Sequence, residues 1–169
     1  LRILIEDATP LIAAMLNEIN AMIETQQARP ATAANMQLLA DMGAYQSSSY
    51  AMIAGLRGYV TSSRSTFKFE YSSNETINAD AWQRLLSQRD QLEPNQAIHL
   101  DALDDARTQF RELPPEMFQA VEGERSREDL YLFRTEAAPA AETMLDLLAN
   151  MSAEQQALLE RDLSEGSEG

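Results

Sequence analysis

An apolar residue recurs at every third or fourth position along nearly the whole chain, and that period confines the fold to helices packed on helices. Near the N-terminus Ile5, Ala8, Ile12, Met15, Ile19 and Met22 step by threes and fours in alternation, with Leu4, Leu11, Leu16 and Ile23 widening the stripe into a heptad seam. Arg29-Pro30 interrupts it, because proline disfavours helix in the residue before it, and Thr32 can cap a restart. Met36, Leu39, Met42, Ile53, Leu56 and Val60 then carry the period to Ser63. A turn-rich stretch, Thr61 to Thr66, leads to a third run through Phe67, Phe69, Tyr71, Ile77, Trp82, Leu85, Leu86 and Leu92, ended by Glu93-Pro94-Asn95. Ile98, Leu100, Leu103, Phe110 and Leu113 make a shorter helix that Pro114-Pro115 should stop. A last run from Glu116 carries Phe118, Val121, Leu132, Met144, Leu148, Met151, Leu158 and Leu163. No segment alternates with period 2 beside hairpin turns, so the predicted class is all-α, one domain over residues 1–169.

Helix lengths give a first architecture. At 1.5 Å per residue, residues 1–63 would span about 95 Å if continuous and 116–165 about 75 Å, against about 40 and 28 Å for the two middle helices. Residues 32–140 are therefore expected to close an up-down four-helix bundle, with 1–28 and 141–165 overhanging as a pair. Two striped helices cannot bury their own stripes, so a parallel homodimer is expected, burying Ile12, Ile19, Met144 and Met151 between protomers. The competing arrangement folds the first helix back at Pro30 as a fifth member of the bundle.

Charge and composition narrow the function. Twenty-seven acidic against 13 basic residues leave a net charge of −14, which repels a phosphate backbone and argues against a nucleic-acid partner. The chain has no cysteine and a single histidine, His99, so neither a metal set nor a cofactor is expected. Ser65-Thr66-Phe67-Lys68 has the Ser-x-x-Lys spacing of some acyl enzymes without that class's other motifs, and no glycine-rich phosphate cradle occurs; the chain is read as a non-enzyme. It begins at Leu1 rather than methionine and ends in the acidic, glycine-punctuated run Gly166 to Gly169, as expected of a piece excised from a longer protein.

The segment Leu56-Arg57-Gly58-Tyr59-Val60-Thr61-Ser62, followed by Phe67-Lys68 and later Trp82, resembles the four-helix-bundle extracytoplasmic sensor domains of bacterial chemoreceptors and sensor histidine kinases, the CHASE-like domains among them. In that family an Arg-Gly-aromatic motif closes one helix, a Thr-Gly turn follows, and the next helix opens on an aromatic. Here Ser62-Ser63 replaces the turn glycine. The likeness has motif detail over residues 45–93 and is architectural elsewhere. It implies a periplasmic domain of an inner-membrane receptor, serving chemotaxis or two-component signal transduction. Transmembrane helices would flank the chain, the overhanging helices would form a membrane-proximal stalk, and a cytoplasmic module would complete the protein. A soluble helical scaffold or adaptor that binds partner helices is the alternative.

Polar residues mark the candidate site. Gln46, Ser49, Asn74 and Asn78 fall at or near seam positions bordered by Tyr45, Tyr50, Tyr71 and Trp82. Such groups either satisfy one another and fix register, or line a pocket between helices. Arg57, Arg64, Lys68 and Arg89 stand out in so acidic a chain and either pair with nearby carboxylates or receive an anion. The ligand site is accordingly expected at Tyr50, Arg57, Tyr71, Asn74, Asn78 and Trp82, with Arg57 supplying the charge for a small organic anion; a periplasmic partner protein is the other candidate input. Gly58 is expected to admit close approach by a neighbouring helix or to soften the helix end.

Overall fold

A computed structural model of the chain describes residues 1–132, 134–135, 139–140, 142–144 and 160–161. Among these residues the chain is helical and contains no strand, as the period requires. The helices are α1 (Arg2–Gln27), α2 (Ala33–Ser62), α3 (Ser65–Ser87), α4 (Pro94–Phe110) and α5 (Leu113–Leu132), with a 3-10 turn at Arg89–Gln91 between α3 and α4. The chain divides into two compact units, Leu1–Gly123 and Glu124–Gly169. In the second, Leu130, Tyr131 and Met144 are exposed. Leu148, Met151, Leu158, Leu163 and most of the expected 141–165 overhang lie outside the described residues.

The helix ends follow local chemistry. Thr32 caps α2, its hydroxyl accepting from the Asn35 N–H at 3.2 Å. Ser63, one of the Ser62-Ser63 pair that stands where the family resemblance expects a turn glycine, closes α2 in the left-handed region at φ 59°. Glu93 and Gln96 form a reciprocal capping box at the start of α4, with Pro94 in the first turn. Pro114 and Pro115 do not stop a helix as expected. They lie in the first turn of α5, where a missing N–H costs nothing, and the break falls at Arg111-Glu112 instead.

The larger correction concerns α1. It turns back after Gln27 and packs against α4 and α2, so the first unit is not a bundle of residues 32–140 with residues 1–28 overhanging. Ala8, Met15, Ile19 and Met22 join the common core, and Ile19 is 0% exposed within one chain, so no second protomer is needed to cover it. Ile12 is half-buried against the same core. The length argument failed because it treated α1 as an extension of α2, whereas the Arg29–Thr32 turn reverses the chain.

The inner faces also shift from some expected residues. In the first half of α2 the buried positions are Leu38, Asp41, Met42 and Tyr45, while Met36 is exposed. On α3, Tyr71, Asn78 and Leu85 repeat at seven-residue intervals and face inward. Ile77, one residue off that line, is 52% exposed, and Phe69 is 73% exposed.

Two glycines let α2 and α3 meet closely. A Cβ on Gly55 would stand 2.8 Å from the Tyr71 amide nitrogen and 3.0 Å from the Phe67 carbonyl oxygen, both backbone atoms. One on Gly58 would strike the Phe67 ring at 2.3 Å, so the expected close approach holds there too. Gly43, on the same helix, has nothing within 4 Å of its would-be Cβ. Gly55→Ala should therefore cost about 1–3 kcal/mol in urea unfolding by forcing the helices apart. Gly43→Ala should be neutral or stabilising by about 0.5–1 kcal/mol, because only helix propensity changes. Equal effects would show that the α2–α3 spacing does not depend on Gly55.

Candidate functional site

Helices α1 to α4 all contribute to one small cavity of about 30 Å³. Met15 of α1 forms one side; Tyr45, Ser49, Met52 and Ile53 of α2, and Glu75, Asn78 and Ala79 of α3, form two others. Arg107 and Phe110 of α4 and Arg111, which caps its end, complete the wall. The volume holds about two water-sized groups.

Its polar lining is built by local back-bonding. Ser48 and Ser49 lie on α2 and donate their hydroxyl protons to the carbonyls four residues earlier, Ala44 and Tyr45, each at 2.7 Å. The resulting hydroxyl oxygens accept from the Asn78 amide, at 3.0 Å from Ser48 and 2.9 Å from Ser49, and the Tyr45 carbonyl accepts from the same nitrogen at 3.2 Å. Asn78 is thus the polar bolt between α2 and α3. Both of its amide protons are committed.

The charged side is different. The Arg107 guanidinium lies 5.0 Å from the centre of the Trp82 ring, and Trp82 packs in turn on Tyr45 at 5.6 Å. Burial, reinforced by Arg111, holds the Arg107 guanidinium below its usual value, against the opposing pull of Tyr45, Asp104 and Glu75. Burial likewise pushes the Tyr45 phenol up to about 12, although Arg107 and Ser49 act to lower it. Arg107 Nε is the one buried side-chain nitrogen or oxygen among the described residues without a hydrogen-bond partner.

Of the expected site residues, the fold brings Asn78 to the cavity wall and Trp82 to the arginine beside it. Tyr71 is buried but engages Phe118 edge-on at 5.3 Å, and burial raises its phenol. Asn74 donates to the Glu70 carbonyl at 2.8 Å, one turn back on its own helix. Tyr50 is 49% exposed. Arg57 is exposed and lines a separate groove of about 60 Å³ with Ile5, Ala8, Leu56, Val60 and Met117. The six do not converge on one pocket. Of the other polar seam residues, Ser49 belongs to the cavity and Gln46 donates to Asn20 at 2.6 Å. Among the other cations, Lys68 pairs with Glu122 at 2.6 Å and Arg89 with Asp101 at 2.5 Å.

Arg107 is the residue that sequence reasoning missed. The signal was present: Gln96, Leu100, Leu103, Arg107 and Phe110 step by 4, 3, 4 and 3, so a charge occupies a seam position of α4. Two further polar groups lie inside the unit without lining the cavity. Gln26 and Gln96 meet at one end, and Asp41, with its side chain 6% exposed, accepts from Gln88 at 2.7 Å, Arg84 Nε at 2.9 Å and Gln37 at 3.2 Å. Among the described residues no cluster of three or more histidine or acidic side chains could hold a metal, and no helix is long and apolar enough to cross a membrane. No protein family, curated protein or solved structure matches this chain.

Asp41 gives a pH test of the interior. Burial pushes its carboxyl up, but the hydrogen bonds from Gln88, Arg84 and Gln37 and the charge of Arg84 outweigh it, leaving the group below its ordinary 3.8. A depressed carboxylate stabilises the fold above its unfolded value, and that contribution is lost as pH falls through the folded one. Asp41→Asn should therefore lower unfolding free energy by about 1.5–3 kcal/mol at neutral pH, with a gap that narrows on acidification below the ordinary carboxylate range. A gap of the same size in acid and at neutrality would remove the carboxylate from this role.

Proposed function

We propose that this chain is the extracytoplasmic ligand-sensing domain of a bacterial membrane receptor, of the chemoreceptor or sensor histidine kinase type, acting by binding a small organic anion rather than by catalysis. The observation that supports the reading is the cavity walled by four helices. An occupant there touches α1, α2, α3 and α4 at once, so any difference in fit between two helix arrangements becomes a difference in their populations. In this reading α1–α4 are an up-down four-helix bundle, and the Arg57-Gly58-Tyr59 motif lies in the α2 segment that meets the start of α3.

The receptor reading carries a homodimer with it. The α1 seam is engaged within the chain, so contact between protomers would use residues such as Ile3 and Ile5, which are 68% and 40% exposed. The scaffold reading draws on the exposed Phe69, Ile77 and Ile98. Exposed apolar side chains occurring singly are ordinary on a soluble surface, which leaves the cavity as the more specific feature.

The coding sequence on either side of this segment provides the test. An apolar run of about 20 residues should precede Leu1 and another should follow Gly169. Polar flanks on both sides would refute the membrane receptor and favour the scaffold.

A further inference from the structure

We infer that the outer face shared by α1 and α2 is the surface on which a second copy of this chain docks, across a two-fold axis that passes the Asn20–Gln46 pair. The inference deepens the homodimer carried by the receptor reading and rests on it for the presence of a second copy; the face itself is read from charge and hydrogen bonding.

Charge sets this face apart. In a chain with 27 acidic and 13 basic residues, α2 carries one charged side chain between Ala33 and Leu56, and α1 carries one between Ala8 and Ile23. Those two point elsewhere: Asp41 meets Arg84 of α3, and Glu18 meets His99 of α4. The face marked by the exposed Gln46–Asn20 hydrogen bond is left without charge. On α2 the helical period places Leu39, Gly43 and Tyr50 on the side of Gln46, and on α1 it places Ala13 and Leu16 on the side of Asn20. Tyr50 is 49% exposed, and Met36, seven residues before Gly43, is 54% exposed. A centre depleted of charge and provided with tyrosine and methionine is the composition of protein interfaces.

Gly43 is an independent sign. Gly55 and Gly58 are accounted for within the chain by the approach of α3, whereas a Cβ on Gly43 would meet nothing within 4 Å. Glycine inside a helix costs stability relative to alanine, and no contact within the chain offsets that cost here. Close approach by a helix of another molecule supplies the reason.

What fits this face is another copy of it. Gln46 donates to the Asn20 side-chain carbonyl at 2.6 Å, which leaves the Gln46 side-chain oxygen as an acceptor and the Asn20 amide as a donor. A two-fold axis sets these groups opposite one another, so that Asn20 of each copy donates to Gln46 of the other and the four amides close a ring. Net charge selects the same occupant. Two molecules of charge −14 repel, but contact through this face keeps the outer carboxylates of α3 and α4 at least a helix diameter, about 10 Å, from the other copy, beyond the screening length of about 8 Å at physiological salt. A basic partner would find no carboxylate here. Residues 36–57 of α2 extend about 32 Å and two helices side by side are about 20 Å wide, so the pair would bury about 1,200 Å², enough for a specific interface.

Sedimentation equilibrium of the whole chain should show dimer at about 100 μM. Gly43→Glu, at a position with no neighbour to displace, should weaken dimerisation about tenfold or more with unchanged helical content. Tyr50→Glu should act alike and keeps the test valid if the glycine variant unfolds. Ile77→Glu and Ile98→Glu, at exposed positions of α3 and α4, should leave the dimer as it is. Raising NaCl from about 0.05 to about 0.5 M should tighten it, because screening relieves repulsion between two acidic molecules while the centre of the face has no ion pair to lose. A chain that stays monomeric at about 100 μM in about 0.5 M NaCl, a dimer that Gly43→Glu and Tyr50→Glu leave intact, or one that Ile77→Glu or Ile98→Glu abolishes equally would overturn the assignment. Dimerisation through this face without apolar flanking runs would keep the interface and remove the membrane receptor. Apolar flanks around a monomer would do the reverse.

Discussion

The constraint that sets the path of the first unit is the polar clasp at the point where α1 turns back into α2. Arg29, two residues beyond the end of α1, donates to the Gln26 side chain at 3.1 Å, the Gln91 carbonyl at 2.9 Å and the Gln96 side chain at 3.3 Å, and stands 3.6 Å from Glu93. Gln26 also donates to the Asn35 carbonyl at the start of α2, and Gln96 donates to the Met22 carbonyl and to Gln26. The clasp therefore joins the end of α1, the start of α2, the 3-10 turn and the start of α4. Its members are costly to bury singly and satisfied together, so the reversed chain is the arrangement that closes the set. The clasp acts together with the buried Met15, Ile19 and Met22, which seat α1 in the common core and bring Met15 to the cavity wall.

Three polar clusters follow one another through the interior, and they differ in how completely they are satisfied. The clasp is closed upon itself, and Asp41 with Arg84, Gln88 and Gln37 pairs a nearly buried carboxylate with three donors. The third, around Asn78, is satisfied on its α2 and α3 sides and leaves a donor over on α4. Closed clusters fix the register of neighbouring helices, as buried polar groups do in coiled coils. The cluster beside the cavity differs, since one charged donor next to it stays without a partner inside the chain. This contrast, rather than the mere presence of polar residues inside, picks the cavity out as the functional candidate.

Much of the fold was legible in the period of the sequence, because burying an apolar stripe leaves a helix few alternatives. The Thr32 cap and the break between α2 and α3, at Ser63-Arg64 within the expected Thr61-to-Thr66 stretch, were legible for local reasons: a hydroxyl that can accept from the first turn, and a run of small polar residues. The return of α1 was legible only as the competing arrangement at Pro30, because what favours it involves Gln26, Arg29 and Gln96, which lie up to 70 positions apart and look like ordinary polar residues until they meet. The candidate site was half legible. Asn78 and Trp82 announced themselves as a polar residue and an aromatic in a seam, but the charge was assigned to Arg57, which is conspicuous in its motif and exposed in the fold. Arg107 lies among Asp104, Asp105 and Arg111 and is inconspicuous by composition; only its heptad position sets it apart.

The placement of Met15 gives the cavity a mechanical meaning. On its C-terminal side α1 is tied down twice, by the Arg29 clasp and by Glu18, whose carboxylate meets His99 Nδ1 of α4 at 2.5 Å. On its N-terminal side the anchoring is apolar, through Ala8 and the half-buried Leu4, Leu11 and Ile12, and includes Pro10 within the helix. Proline removes one backbone hydrogen bond from the helix interior, the one to the Glu6 carbonyl, and beside it the Thr9 hydroxyl donates to the Ile5 carbonyl at 2.8 Å. A push on Met15 thus meets directional hydrogen bonds toward Gln27 and only van der Waals packing toward Leu1. Packed apolar surfaces slide at lower cost than charge-assisted hydrogen bonds break, so under the sensor reading a displacement of α1 is expected at its N-terminal half. Under the sensor reading, that is the half that carries the displacement away from the ligand.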